Sequence, residues 1–177
     1  MPEPLAGFLD ALRRELEPDA ASPRAHLTLL PPRELQPGVS VAAAIDQLDR
    51  IFRTAQAVEI EIGAPEIFPG TNVVYLALRS GTGELREVHA KLNAGALEYS
   101  EPFAYHPHVT IAQGLTQAQA ERVRDRVAEL WARYRGPRGF VTESVTFVHN
   151  ADGSAWSDLA EYSLPVLTGA GRTPGRR

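Results

Sequence analysis

Apolar residues recur at helical spacing at Leu5, Phe8, Leu9, Leu12 and Leu16, which predicts an amphipathic helix over residues 5–16. Turn formers in PDAASP end it, and the short alternating run AHLTLL, closed by Pro31-Pro32, predicts a strand. Ser40 is placed to cap a second helix, with Val41, Ala44, Ile45, Leu48, Ile51 and Phe52 along one face. VEIEIG alternates as a strand, APEIFPGT reads as a loop, and NVVYLALR is a strand rich in β-formers. Residues 84–97 predict a helix with Leu85, Val88, Leu92 and Ala96 on one side.

A similar order then begins again. HVTIA predicts a strand, and Thr116 with Gln119 predicts a capping box. Val123, Val127, Leu130, Trp131 and Tyr134 form the stripe of the helix that follows, and GPRG breaks it. SVTFVHN and EYSLPVL predict two strands around the turn-rich ADGSAW. Each half thus runs H-x-T strand, loop, helix and two strands. The repeat predicts one α+β domain over residues 1–167 made of two pseudo-symmetric lobes, each contributing one H-x-T strand. The tail, residues 168–177, has no apolar pattern and is expected to be disordered.

Composition narrows the classes. The 177 residues are 44% hydrophobic and 23% charged, ordinary for a globular chain of one domain. A net charge of −4 argues against broad nucleic-acid binding and DNA as a partner, but leaves a small anionic substrate or an RNA end open. The absence of cysteine removes disulfides, thiolate zinc sites and cysteine nucleophiles. MPEPLAGFLDALRREL mixes charges with its apolar positions and is not a signal peptide, and no run approaches the ~18 apolar residues of a membrane span. The expectation is a cytoplasmic monomer with no membrane partner.

The candidate chemistry lies in two matching tetrads, HLTL at residues 26–29 and HVTI at 108–111. On a strand, residues i and i+2 share a face. His26 and Thr28 then point one way, backed by Leu27 and Leu29, and His108 and Thr110 repeat the arrangement, backed by Val109 and Ile111. Pro107 disfavours helix at His106 and keeps the approach to His108 extended. Strands lying side by side would gather two imidazoles and two hydroxyls in one pocket. Imidazole titrates near pH ~6.5, so one ring can take a proton from water while the other gives one to a leaving oxygen. Threonine hydroxyls can donate to phosphoryl oxygens as charge builds on them. Such a set suits phosphodiester cleavage with no metal and no cofactor.

These tetrads resemble the two H-h-T-h motifs of the 2H phosphoesterase superfamily, and YHPHVTIA is similar to the second motif of its 2′-5′ RNA ligase-like and YjcG-like branches. The resemblance covers roughly residues 5–166. It implies an α+β fold with two antiparallel sheets facing a central cleft and helices packed outside. It implies His26 and His108 as the catalytic pair, with Thr28 and Thr110 holding phosphate. It implies metal-independent action on 2′,3′-cyclic phosphates of RNA ends or nucleotides, a 2′-phosphate product, and reverse action as a 2′-5′ ligase. Two alternatives are a non-catalytic nucleotide- or RNA-end-binding module on the same fold, and hydrolysis of another cyclic phosphate metabolite. The chain departs from the pattern in starting at a helix rather than a strand, in carrying Ala25 where proline commonly precedes the first histidine, and in carrying Gln113 where a basic residue often follows the second motif. The last departure implies weaker RNA binding.

Other residues carry lesser expectations. Tyr105 is a candidate to stack on a base, and Arg33 a candidate to meet phosphate. His106 with His108 has a spacing that metals use, but no ligand set completes it, and His106 is read as a rim residue. Phe103 is read as core, Phe68 as pinning its own loop, His89 as an exposed surface residue and His149 as a turn residue. The tail's Arg172, Arg176 and Arg177 are read as solvated.

Overall fold

The computed structural model describes residues 1–17, 23–150 and 156–166. The expected first linker apart from Pro23, the turn ADGSAW apart from its tryptophan, and the expected disordered tail lie outside the described residues. The first helix, α1 (Leu5–Leu16), buries Leu5, Leu9 and Leu12, the stripe that the spacing predicts. Helix α2 (Val41–Phe52) starts where Ser40 accepts a hydrogen bond from the Ala43 N–H at 3.1 Å. Strands β1 (Glu59–Ile67) and β2 (Val74–Ser80) form a hairpin. Helix α3 (Thr82–Leu92) follows directly, through Gly81 at φ +85°. A Cβ at Gly81 would lie 2.8 Å from the Glu59 carbonyl oxygen, so the turn admits only glycine. A 3₁₀ turn at Gly95–Leu97 leads on to β3 (His108–Ala112). Helix α4 (Gln117–Arg133) opens on the Thr116–Gln119 capping box. Strands β4 (Gly139–Val141), β5 (Ser144–His149) and β6 (Ser157–Ser163) complete the order.

Four strands make one antiparallel sheet in the order β3-β2-β1-β4, and β5 and β6 pair as a second. The α+β class and the two antiparallel sheets agree with expectation. The pattern halves do not form separate sheets, however. β1 and β2 from the first half are flanked by β3 and β4 from the second.

One face of the four-stranded sheet packs on α1 and α4. Ile60, Ile62, Val74, Leu76, Val109 and Ile111 meet Leu5, Leu9, Leu12, Val127 and Trp131 there. Ile62 and Ile67 both turn toward this core although their offset along the strand is odd, because an irregularity between Ile62 and Pro65 reverses the alternation. Reading APEI as loop stopped the strand too early: β1 runs through the proline to Ile67. A second core joins Ala44, Leu48 and Phe52 of α2 to Leu92, Leu97 and Leu164, with Val145, Phe147 and Tyr162 of the small sheet against them. No helix among the described residues is long and apolar enough to cross a membrane.

The main correction concerns AHLTLL, which forms no strand. Pro31-Pro32 removes two backbone donors, and the Ala25 amide and the Thr28 and Leu29 carbonyls are bonded to side chains instead. β4, beginning at the glycine read as a helix breaker, and the early start of β6 were also not foreseen.

Candidate active site

The second motif is set by the sheet. On β3, Val109 and Ile111 are fully buried, which turns His108 and Thr110 to the opposite face. Register pairs Thr110 with Tyr75 and His108 with Ala77 across β2, and Tyr75 with Glu66 across β1. Residues directly opposite share a face, so Glu66, Tyr75 and Thr110 form one row. The Tyr75 hydroxyl donates to Glu66 Oε2 at 2.8 Å, and burial with that carboxylate pushes it up to about 12. Phe68 stacks on Tyr75 with ring centroids 3.9 Å apart, and both rings present a near-perpendicular neighbour to His108, at 4.8 and 5.4 Å. Phe68 thus walls the histidine as well as closing its own hairpin, where its N–H bonds the Val73 carbonyl.

His108 Nδ1 lies 2.6 Å from the His106 carbonyl oxygen. A carbonyl only accepts, so Nδ1 carries the proton and Nε2 is left free. Burial pulls the His108 imidazole below its ordinary value. The His106 carbonyl works against that shift, and the charges of His106 and His26 add to it. His106 is half-buried at the edge of the same aromatic pair, 5.4 Å from Phe68 and 5.6 Å from Tyr75.

The first motif is held without a ladder. Asp10 of α1, only 7% exposed, accepts from the Ala25 N–H at 2.5 Å and from Arg24 Nε at 2.7 Å. Burial pushes this carboxyl up, but the Ala25 amide and the Arg24 guanidinium outweigh it and hold it below its ordinary value. The Arg24 carbonyl accepts in turn from His26 Nδ1 at 2.8 Å. His26 is therefore latched as His108 is, by the carbonyl two residues before it, with Nε2 unpartnered among the described residues. Leu27 and Leu29 pack on the main core, so the side-chain alternation of a strand survives without strand pairing. Among the described residues, neither Thr28 Oγ1 nor Thr110 Oγ1 has a hydrogen-bond partner in the protein.

The two motifs meet. Tyr105, in the lead-in to β3, donates its hydroxyl to the Thr28 carbonyl at 2.9 Å, and the charge of His26 bears on His108. The Tyr105 ring lies flat on His89, 4.0 Å between centroids and 4° between planes. His89 is 8% exposed, not a surface residue. The buried stripe on α3 runs through Leu85, His89 and Leu92, and the expected Val88 packs beside it, half-buried, on the second core. His89 Nδ1 donates to the Leu29 carbonyl at 2.7 Å, and Nε2 faces Glu101 Oε2 at 3.2 Å. The Arg33 side chain is buried and paired with the other Glu101 oxygen. It also donates to Asn93 Oδ1 at 2.8 Å, the Leu97 carbonyl at 3.2 Å and the Pro31 carbonyl at 3.0 Å. Its guanidinium stands 5.2 Å from the Tyr99 ring centroid. Phe103, expected in the core, is 73% exposed. His149 ends β5, as expected.

Sequence reading missed Asp10, Tyr75, His89 and Glu101. The one available signal was a lone polar residue on an apolar helix face, at Asp10 beside Leu9 and at His89 between Leu85 and Leu92. A cleft of about 460 Å³ lies between β1, β2 and α4, lined by residues such as Glu61, Arg79, Trp131 and Arg138, and no H-x-T residue lines it. Among the described residues, no group of three or more histidine or carboxylate side chains is set to hold a metal ion.

With this geometry in place, comparison with known proteins defines the class. The family model of the 2′-5′ RNA ligase superfamily matches residues 1–154, and the chain belongs to that superfamily. Among curated relatives, a candidate phosphoesterase of Bacillus licheniformis is 30% identical over 113 residues, 63% of this chain and 66% of the relative. Candidate phosphoesterases of Bacillus thuringiensis and Bacillus cereus are each 28% identical over 119 residues, 67% of this chain and 68% of theirs. The matched region spans about two thirds of these relatives' length. The fold is similar to that of Escherichia coli LigT, solved in complex with NADP+, with a TM-score of 0.60, 18% identity and 93% of each chain covered.

Proposed function

We propose that this chain is a metal-independent phosphodiesterase that opens 2′,3′-cyclic phosphates of RNA ends or nucleotides, with His108 as base and His26 as acid. The observation that carries the reading is the matched latch. Each motif histidine donates a hydrogen bond from Nδ1–H to the carbonyl two residues before it and keeps Nε2 for the reaction. Burial favours the neutral form of His108, the state a base needs at neutral pH. His26 is exposed, beside solvent that can return its proton.

In the forward step, water oxygen bonds to phosphorus while His108 Nε2 takes its proton. The bond from phosphorus to the 3′-oxygen breaks, and His26 Nε2 protonates that oxygen. One water is consumed, a 2′-phosphomonoester forms, and solvent exchange resets both rings. Thr28 and Thr110 donate to the non-bridging oxygens, where charge grows. With a 5′-hydroxyl in place of water, the same step bonds its oxygen to phosphorus, releases the 3′-oxygen and makes a 2′-5′ bond. Membership of the superfamily and the candidate phosphoesterase relatives support the reaction class.

The test is hydrolysis of an RNA oligonucleotide ending in a 2′,3′-cyclic phosphate, in EDTA, with wild type beside His26→Ala and His108→Ala. The expected result is cleavage by wild type alone, to a 2′-phosphate. Activity that needs a divalent metal, or full activity in either variant, overturns the mechanism. Binding of the oligonucleotide without cleavage would instead make the chain a module that recognises RNA ends.

A further inference from the structure

The first motif lacks a strand partner, so something other than a ladder must fix its distance from the second. The candidates are the groups that grip its carbonyls. Tyr105 holds the Thr28 carbonyl at 2.9 Å and His89 holds that of Leu29 at 2.7 Å. The two gripping rings lie face to face, so neither can turn without moving the other. Glu101 fixes the far side of His89 and pairs with Arg33, which belongs to the first-motif segment itself. Glu101 and Tyr105 both sit on the stretch that runs straight into His108. The network therefore ties residues 28, 29 and 33 of one motif to the lead-in of the other. Burial, with the Glu101 charge nearby, pushes the Tyr105 hydroxyl well above its ordinary value, so it stays a donor throughout the working range.

We propose that Tyr105, braced by His89 and Glu101, is a positioning residue that sets Thr28 against the second motif, rather than a platform for a base. The proposal rests on the reading of Thr28 and Thr110 as phosphate-holding groups. It accounts for both faces of the observation: the Tyr105 ring is covered by His89, and its hydroxyl is spent on backbone. Arg33 belongs to the same brace, with its donors committed to Glu101, Asn93 and two carbonyls.

The test is a double-mutant cycle between Tyr105→Phe and Thr28→Val, with kcat and KM measured on the cyclic-phosphate oligonucleotide. Tyr105→Phe removes one oxygen and keeps the stack. The expected result is a kcat lowered about 2- to 10-fold, as for loss of one neutral hydrogen bond, with KM changed less. In the Thr28→Val background the same change should cost nothing further, because a positioning residue has nothing left to position. Tyr134→Phe deletes an equivalent hydroxyl-to-carbonyl bond, to Pro137, and should leave kcat alone. Equal cost in both backgrounds, a wild-type kcat in Tyr105→Phe, or a rise in KM alone overturns the proposal.

If wild type does not cleave the oligonucleotide, the proposed reaction fails, and phosphate binding decides the positioning role separately. Inorganic phosphate titrated into ¹⁵N-labelled protein should shift the Thr28 and Thr110 amides together, with affinity weakened severalfold in Tyr105→Phe. No binding by wild type, or the same affinity in the variant, overturns the proposal on that ground.

Discussion

Replacing Asp10 by alanine removes the acceptor that holds the backbone just ahead of His26. Two bonds go with it, from the Ala25 amide and from Arg24 Nε. Ala25 is buried, so its amide is left without a partner, which costs about 1–3 kcal/mol. The Arg24 side chain is 74% exposed, so solvent screens its ion pair and it adds little. Asp10→Ala is therefore expected to lose about 1–3 kcal/mol of stability, nearly all of it from the stranded amide. Asp10→Asn keeps an oxygen for the amide and should lose less than half as much. The pH dependence separates the two contributions. The folded state holds Asp10 below its ordinary value, so its charge stabilises the fold above about pH 4 and that contribution fades as pH falls through the folded value. Urea melts of all three proteins at pH 7 and pH 3 would show it: the gap between wild type and Asp10→Asn should narrow at the lower pH. Turnover at pH 7 should fall at least severalfold in Asp10→Ala, because the Arg24 carbonyl that orients His26 is no longer held. An Asp10→Ala protein within about 0.5 kcal/mol of wild type, the range of an ordinary surface change, would refute the clamp.

Three further outcomes follow from the geometry. The acid limb of the kcat/KM profile should lie below about pH 6.5, since activity is lost as His108 gains a proton and its folded value is lowered; a limb at or above neutrality would refute His108 as base. Phe68→Ala should move that limb upward by opening the aromatic wall beside His108 to water, which the same profile would read. Gly81→Ala should destabilise the fold by about 1–3 kcal/mol or more in a urea melt, because a side chain is forced into a left-handed turn and against the Glu59 carbonyl.

The sequence was most legible where one side of an element is apolar and its ends are marked. The stripes of α1 and α4, the Ser40 cap and the Thr116–Gln119 box all follow from local rules, and the structure places them as those rules require. The second H-x-T strand was legible for the same reason, since Val109 and Ile111 alternate with His108 and Thr110. The first was misread because its pattern is that of a strand while its partners are side chains distant in the chain. Nothing local to HLTL announces that Asp10, His89 and Tyr105 will take up its backbone. His89 was misplaced because a helix period over so short an element admits Val88 or the histidine as the buried member, and only the Leu29 carbonyl and Glu101 make the histidine the better choice.

The two motifs reach one histidine geometry by different routes, and that separates what is local in this site from what is not. The latch from Nδ1 to the carbonyl two residues back is present in a paired strand and in an unpaired segment alike. It therefore does not depend on sheet hydrogen bonds. The distance between the motifs has no such local source. On the second motif it is fixed by core packing behind Val109 and Ile111, which tolerates apolar exchange of similar volume. On the first it is fixed by buried polar groups, where removing one partner strands another. Conservative polar substitutions around residues 10, 89, 101 and 105 should thus disturb the chemistry more than conservative apolar substitutions behind β3, although none of those four positions lies in an H-x-T motif.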